Sequence, residues 1–287
     1  MDASVLPLLR CPACGGTLTL NADPGPMVET GTLACACGAE YPVEGGVPNL
    51  VHPRDQPFIE EDPDTYDELI GFIARLLRSD EAAVRRRAVE ALEVKPGDRV
   101  LEVGCGPGSN FPYVFERIGR RGELFAADIS PGMIRRAAAR EVIAPESRHL
   151  FLVNGVHLPF PDGAFDAVLQ IGTLNRFADI PAALREMARV TKRGGKVVAG
   201  DEALGAWLHQ TEYAALLRKF GGLFKGQVPI GALPINADEV RVRWDLGHAY
   251  YVIDFRVGTE PSADLDVRLP GRDVTVRDVL TKSQQKA

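Results

Sequence analysis

Residues Asp98–Asn110, DRVLEVGCGPGSN, constrain the fold more than any other stretch of the chain. Val100 to Val103 is mostly apolar and reads as a strand entering a core. Gly104, Gly106 and Gly108 then alternate with other residues, and a helical pattern follows. A strand that turns sharply into a helix needs backbone conformations that a Cβ hinders, and a ligand lying on bare backbone needs the same freedom. Exposed N–H groups at a helix start favour carboxylate or phosphate. The turn gains meaning from Asp128, which ends the next apolar run, GELFAADIS. An acid at the end of that strand can accept both hydroxyls of a ribose.

These residues resemble the class I S-adenosylmethionine-dependent methyltransferases, in the ubiquinone-biosynthesis-like branch. Dinucleotide dehydrogenases share the logic but usually carry GxGxxG, whereas the spacing here is GxGxG. The resemblance continues through LVNGVHLPFPDGAFDAVLQIGTLNRFAD and LREMARVTKRGGKVVAGDE, and so covers roughly residues 95–202. It implies an α/β fold: a Rossmann-like sheet with helices on both faces and a C-terminal antiparallel hairpin. It also implies S-adenosylmethionine as methyl donor. Carried over residue by residue, Gly104, Gly106 and Gly108 lie against the methionine end, and Glu102 favours its amino group. Asp128 holds the ribose diol and Ile129 packs on the adenine. Asn154, followed by Gly155, stands where that branch has an aspartate accepting from the adenine amino group, and an amide oxygen can still accept. Gln170 ends the fourth strand and is expected to pass beneath the methionine moiety. Tyr66, on a helix before the first core strand, is placed either near the methionine carboxylate or in the core.

The 287 residues are 45% apolar, enough to bury a sizeable core in one large domain with a small appendage. A net charge of −6 provides no domain-wide basic footprint for nucleic acid. The apolar runs are too short to cross a bilayer. The start, MDASVLPLLRCPACGG, shows no secretory pattern, so the cytoplasm is expected.

Four of the five cysteines, Cys11, Cys14, Cys35 and Cys37, fall in the first 37 residues as CPxC and CxCG. In a cytosolic chain this reads as a thiolate metal site, and four thiolates suit a structural zinc. Residues 1–52 resemble the zinc ribbon of the tRNA-methyltransferase activator family and that of bacterial 23S rRNA guanine-N1 methyltransferases. The second pair departs from the usual CxxC. The ribbon is expected to hold its own core, so that its loss spares cofactor binding. Residues 53–94 read as a linker with cofactor-covering helices, and 95–287 as the methyltransferase domain. Arg85-Arg86-Arg87 reads as a solvated face.

Strands are expected at about 99–103, 123–128, 149–153, 165–171 and 195–200, with helices at about 109–120, 131–141 and 180–190. A further helix is expected over Leu204–Phe220, a lid over Gly221–Pro234, a hairpin around Gly247, and a short strand within Leu265–Leu280.

Methyl displacement from a sulfonium requires alignment and water exclusion rather than a protein nucleophile. Cys105, the one cysteine outside the ribbon, sits inside the glycine turn, which excludes covalent C5 methylation of pyrimidines. Asn175 is a candidate for orienting the acceptor, and His157, His209 and His248 are candidate bases. A small-molecule acceptor fits the acidic chain. An RNA acceptor is the alternative suggested by the ribbon, and a non-catalytic S-adenosylmethionine-binding module is the second alternative. DNA and membrane are not expected partners; apolar ribbon residues leave a homodimer open.

Overall fold

The computed structural model describes residues 1–58, 63–220, 224, 226–261 and 263–284. An N-terminal antiparallel sheet comprises β1 (Leu18–Ala22), β2 (Gly31–Cys35), β3 (Glu40–Glu44) and β4 (Val47–Pro48) in sequential order. Two helices follow, α1 (Pro63–Leu76) and α2 (Glu81–Glu90); the second starts where the Asp80 carboxylate accepts from Ala83 N–H.

The main domain then alternates β5 (Arg99–Val103), α3 (Phe111–Ile118), β6 (Glu123–Asp128), α4 (Pro131–Ala139), β7 (Arg148–Leu152), β8 (Phe165–Ile171), α5 (Ile180–Val190) and β9 (Thr191–Glu202). After α6 (Glu212–Leu217), a hairpin of β10 (Ala237–Asp245) and β11 (Tyr250–Val257) completes the sheet, and α7 (Val276–Gln284) closes the described chain. The sheet order is β10-β11-β9-β8-β5-β6-β7, with β5 to β9 parallel and the hairpin antiparallel. Strand order reverses between β5 and β8, so the crevice outside their carboxyl ends is where a ligand fits. The central parallel strands β5, β6 and β8 are buried on both faces and read as near-continuous apolar runs for that reason, whereas the edge strand β7 alternates. On one face Phe125, Phe151, Phe160 and Phe165 form an aromatic cluster, stacked between Phe125 and Phe151 and edge-to-face elsewhere, with centroids 4.9 Å apart for Phe160 and Phe165.

Three sequence expectations change. The helix expected over Leu204–Phe220 breaks into a short turn at Ala206–Leu208, α6 and a further turn, because the Thr211 hydroxyl accepts from Ala214 N–H and restarts the helix. The tail carries a single bridge between Arg268 and Thr275 and then α7, which Asp278 and Thr275 cap reciprocally, in place of a strand. Arg85 is buried rather than solvated, donating to Glu81 (2.7 Å) and Asn110 (3.0 Å). Part of the expected lid, residues 221–223 and 225, lies outside the described residues.

The N-terminal unit is not a separate core. Val5, Leu9, Leu33, Tyr41, Val43 and Leu50 pack into the same cluster as Phe125, Phe151 and Phe160. Arg10 N–H donates to the Pro159 carbonyl (2.8 Å), Leu50 N–H to the Leu152 carbonyl (2.8 Å), and Asn49 bridges Leu152 in parallel. The chain leaving the unit thus covers the exposed edge of β7, which would otherwise present unpaired backbone.

Candidate active site

At the switch point a cavity of ≈ 290 Å³ is lined by Gly104, Gly106, Asp128, Ile129, Asn154, Gly155, Thr173 and Arg176, among others. The glycines have different local reasons. Gly104 has φ +67°, and a Cβ there would lie 2.1 Å from Thr173 Oγ1. Gly106 has φ +53° and open space around its missing Cβ, as a ligand-facing turn requires. Gly108 does not line the cavity; the Phe111 ring occupies the space its Cβ would take.

Asp128, 8% exposed, is oriented by backbone. Its Oδ2 accepts from Gly106 N–H (2.8 Å) and its Oδ1 from Ser130 N–H (2.9 Å). The Ser130 hydroxyl in turn caps α4, accepting from Met133 N–H at 3.2 Å. Each carboxylate oxygen retains acceptor capacity for a diol.

Glu102 is 1% exposed; its Oε1 accepts from Asn110 Nδ2 (2.7 Å), and Oε2 has no hydrogen-bond partner among the described residues. Burial pushes its pKa up to about 7, against the lowering effects of the Asn110 hydrogen bond and the Arg85 charge. Glu102 does not itself line the cavity, so its charge would act on a cationic ligand group through space rather than by contact. The expected consequence is a pH dependence of donor affinity. Below about pH 7 the carboxyl is protonated and the attraction is lost; above it the carboxylate is charged and the attraction is present. Dissociation constants measured from pH 8 down to pH 6 should therefore rise, by at most about tenfold per unit, and the rise should vanish in Glu102→Gln.

Asn154 lines the cavity, and its Nδ2 donates to the His52 carbonyl (3.0 Å), which draws the segment after the N-terminal unit onto the site. Gln56, Pro57 and Phe58 line the same cavity. Nothing in their local sequence signals this, because chain tracing alone puts them there. Gln170 does not line it. With its amide oxygen facing the turn after β8, it accepts from Thr173 N–H (3.0 Å) and Leu174 N–H (3.0 Å), so it shapes the turn that carries Thr173. The Tyr66 side chain lies outside the described residues.

The candidate acceptor-side residues do not converge on the cavity. Asn175 N–H donates to Asp201 Oδ2 (2.5 Å) and its Nδ2 to the Glu202 carbonyl (2.8 Å), which commits it to the turn. His157 stacks edge-on against His52 at 5.2 Å, in a cleft shared with Cys11 and Glu186, and burial lowers its pKa. His248 sits in the β10–β11 turn, 5.7 Å from the Trp207 ring. His209 bonds the Leu204 carbonyl (3.3 Å). Sequence reading passed over Thr173, Arg176, Asp201 and Glu202; the last two were findable as acids ending the last parallel strand.

The four cysteine sulfurs lie within 4.8 Å of one another. Cys11 and Cys37 are 3.8 Å apart and Cys14 and Cys35 3.6 Å. A regular tetrahedron with metal–sulfur bonds of about 2.3 Å has edges of about 3.8 Å, so the donor set fits a tetrahedral ion. A Cβ on Gly16 would come within 3.2 Å of Cys14 Sγ and 3.3 Å of Cys35 Sγ, so glycine leaves these sulfurs room.

Residues 101–199 match the family model described as a methyltransferase domain. The chain is 38% identical over 118 residues to a demethylmenaquinone methyltransferase of Corynebacterium urealyticum, covering 41% of this chain and 47% of that protein. It is 36% identical over 151 residues to the ubiquinone/menaquinone biosynthesis C-methyltransferase UbiE of Xanthomonas campestris, covering 50% of this chain and 59% of that protein. The chain thus spans about half the length of the curated relatives it matches. A geranyl diphosphate C-methyltransferase of Streptomyces coelicolor aligns with a TM-score of 0.50 at 16% identity, over 71% of this chain and 86% of the other. A methyltransferase–activator complex from Haloferax volcanii also aligns at 0.50, with 18% identity, over 70% of this chain and 100% of the other. These likenesses show a Rossmann-like α/β methyltransferase fold. Among the described residues, no helix is long and apolar enough to cross a membrane.

Proposed function

We propose that this chain transfers a methyl group from S-adenosylmethionine to a small molecule, with a reduced quinone-like ring as the class of acceptor. The observation that carries the reading is that the segment matching a methyltransferase domain builds the cavity, with Asp128 held by backbone at its rim. The curated relatives' names supply the acceptor class.

S-adenosylmethionine supplies a methyl group already activated on a sulfonium. The protein's part is binding, alignment and exclusion of water. Asp128 accepts from the ribose hydroxyls, and Ile129 and Phe58 flank the adenine. The Asn154 oxygen accepts from its amino group. The Gly104–Gly106 turn leaves bare backbone against which the methionine end would lie, its N–H groups being committed to the Ala127 carbonyl and to Asp128. The buried Glu102, which does not itself line the cavity, would favour the ammonium by its charge. Cys11, Cys14, Cys35 and Cys37 hold a structural zinc.

An RNA acceptor is disfavoured by charge. Residues 1–52 carry Arg10 as their one basic side chain against Asp2, Asp23, Glu29, Glu40 and Glu44. Such a unit repels phosphates instead of releasing counterions by neutralising them. The test is methyl transfer from labelled S-adenosylmethionine to chemically reduced demethylmenaquinone, run beside ribosomal RNA. Label in the quinone is the expected result. Label in RNA, with binding that collapses steeply as salt rises, replaces the small-molecule reading.

A further inference from the structure

Beyond the donor cavity, across a single peptide, lies a second cavity. Thr173 lines the first and Gly172 the second. The second is walled by Ile171, Tyr250 and Glu202 from the sheet and by Ile73 and Val84 from α1 and α2. We infer that this cavity receives the reacting end of the acceptor and that Glu202 takes the acceptor's proton; the inference rests on the methyl-transfer reading above.

The placement follows from register. Glu202 pairs with Tyr250 and Asp201 with Tyr251 across β9 and β11. Directly opposed residues share a sheet face, so Glu202 lies on the face of Tyr250 and the cover helices, and at this strand end its carboxyl also hydrogen-bonds the carboxyl of Asp201. The other polar groups near the cavity are committed. Tyr250 donates its hydroxyl to the Gly200 carbonyl (3.0 Å), and Glu81 is held by Arg85 (2.7 Å). Asp201 accepts from Asn175 N–H and Glu202 N–H. The cavity is narrow, ≈ 40 Å³, and its walls are mostly apolar. It admits a hydroxyl-bearing edge of an apolar or aromatic molecule, with the rest of that molecule outside.

Burial, and next the Asp201 carboxyl, raise the Glu202 pKa well above the ordinary carboxylate range, with Arg176 opposing. Arg85 and Glu81 are the other charged groups on this cavity. Burial and the Asp201 carboxyl thus favour the protonated form of Glu202, and a sulfonium in the adjoining cavity would favour its ionised form. In the reaction, the acceptor O–H gives its proton to the Glu202 carboxylate. The electron pair released, on oxygen or on the conjugated ring carbon, forms the bond to the methyl carbon. The methyl–sulfur bond breaks with its pair passing to sulfur, and the neutral thioether leaves. When a ring carbon is methylated, its own proton then passes to water and the aromatic ring is restored.

The test is calorimetric titration of the full chain with S-adenosylmethionine at about pH 8, above the range of Glu102, in buffers of different ionisation heat. Wild type should release protons on binding. Glu202→Gln, isosteric with the protonated acid and checked for an unchanged Tm, should release fewer with its Kd within about threefold. Its methylation of reduced demethylmenaquinone should fall at least about a hundredfold. Equal proton release in the two proteins, or undiminished methylation, overturns the assignment. Wild type that gives no binding heat at all sinks the methyl-donor reading instead, and this assignment with it.

Discussion

Asp128→Ala is expected to weaken S-adenosylmethionine binding by about 10- to 150-fold while leaving the fold intact. The carboxylate would contribute hydrogen bonds to the ribose diol, and hydrogen bonds to a charged group are worth about 1.5–3 kcal/mol. It has a second role that the substitution also removes. It holds Gly106 N–H and Ser130 N–H, and so fixes the glycine turn against the start of α4. Asp128→Asn separates the two roles. Its oxygen can keep one backbone bond, but its NH₂ would meet the N–H donor that the other carboxylate oxygen now accepts from, and it brings no charge. An intermediate loss is therefore expected. Calorimetry measures both variants, with thermal scans to show that folding is retained. Wild-type affinity in Asp128→Ala would remove the ribose assignment and, with it, the main chemical argument for the donor.

Cys14→Ser is expected to abolish metal binding, lower Tm and weaken S-adenosylmethionine binding by about tenfold or more. A structural tetrathiolate site contributes on the order of 10 kcal/mol to the folding of a small unit. That outweighs any one buried side chain, at about 2–5 kcal/mol. The unit shares a hydrophobic cluster with Phe125, Phe151 and Phe160, so its loss exposes one face of the main core. Arg54 also donates to the Glu40 carbonyl of β3, tying the exit segment back to the four-cysteine unit. That same segment supplies Gln56 and Phe58 to the donor cavity and the His52 carbonyl to Asn154. Reading residues 1–52 as a self-contained core implied that cofactor binding would survive; the shared cluster reverses that expectation. Metal analysis of the wild type should find about one zinc per chain. Metal-free Cys14→Ser protein that binds S-adenosylmethionine as tightly as wild type would show that the two units act independently after all.

What the sequence determined by itself was local in origin. The apolar runs of β5, β6 and β8 lie within a residue or so of where their patterns put them, because a strand buried on both faces must be apolar almost throughout. The glycine turn was legible because backbone chemistry demands it within a few residues, and Asp128 because it closes the next apolar run, although its bond from Gly106 N–H spans 22 residues. The paired cysteines were legible from their spacing, the fold gathering their sulfurs to within 4.8 Å. The hairpin was legible from two β-rich runs flanking Gly247. Tertiary structure alone decided the contents of the sites. Gln170 occupies a strand end like its neighbours, yet its side chain serves the following turn. Arg85 belongs to a basic run, yet Asn110 and Glu81 bury it. Phe58 reaches the donor cavity only because Leu50 pairs with Leu152 at the sheet edge. Glu202 faces the second cavity only because β11 returns in a register that sets it opposite Tyr250. Each of these depends on partners dozens of residues away, and a one-residue slip in register would put Asp201 where Glu202 stands.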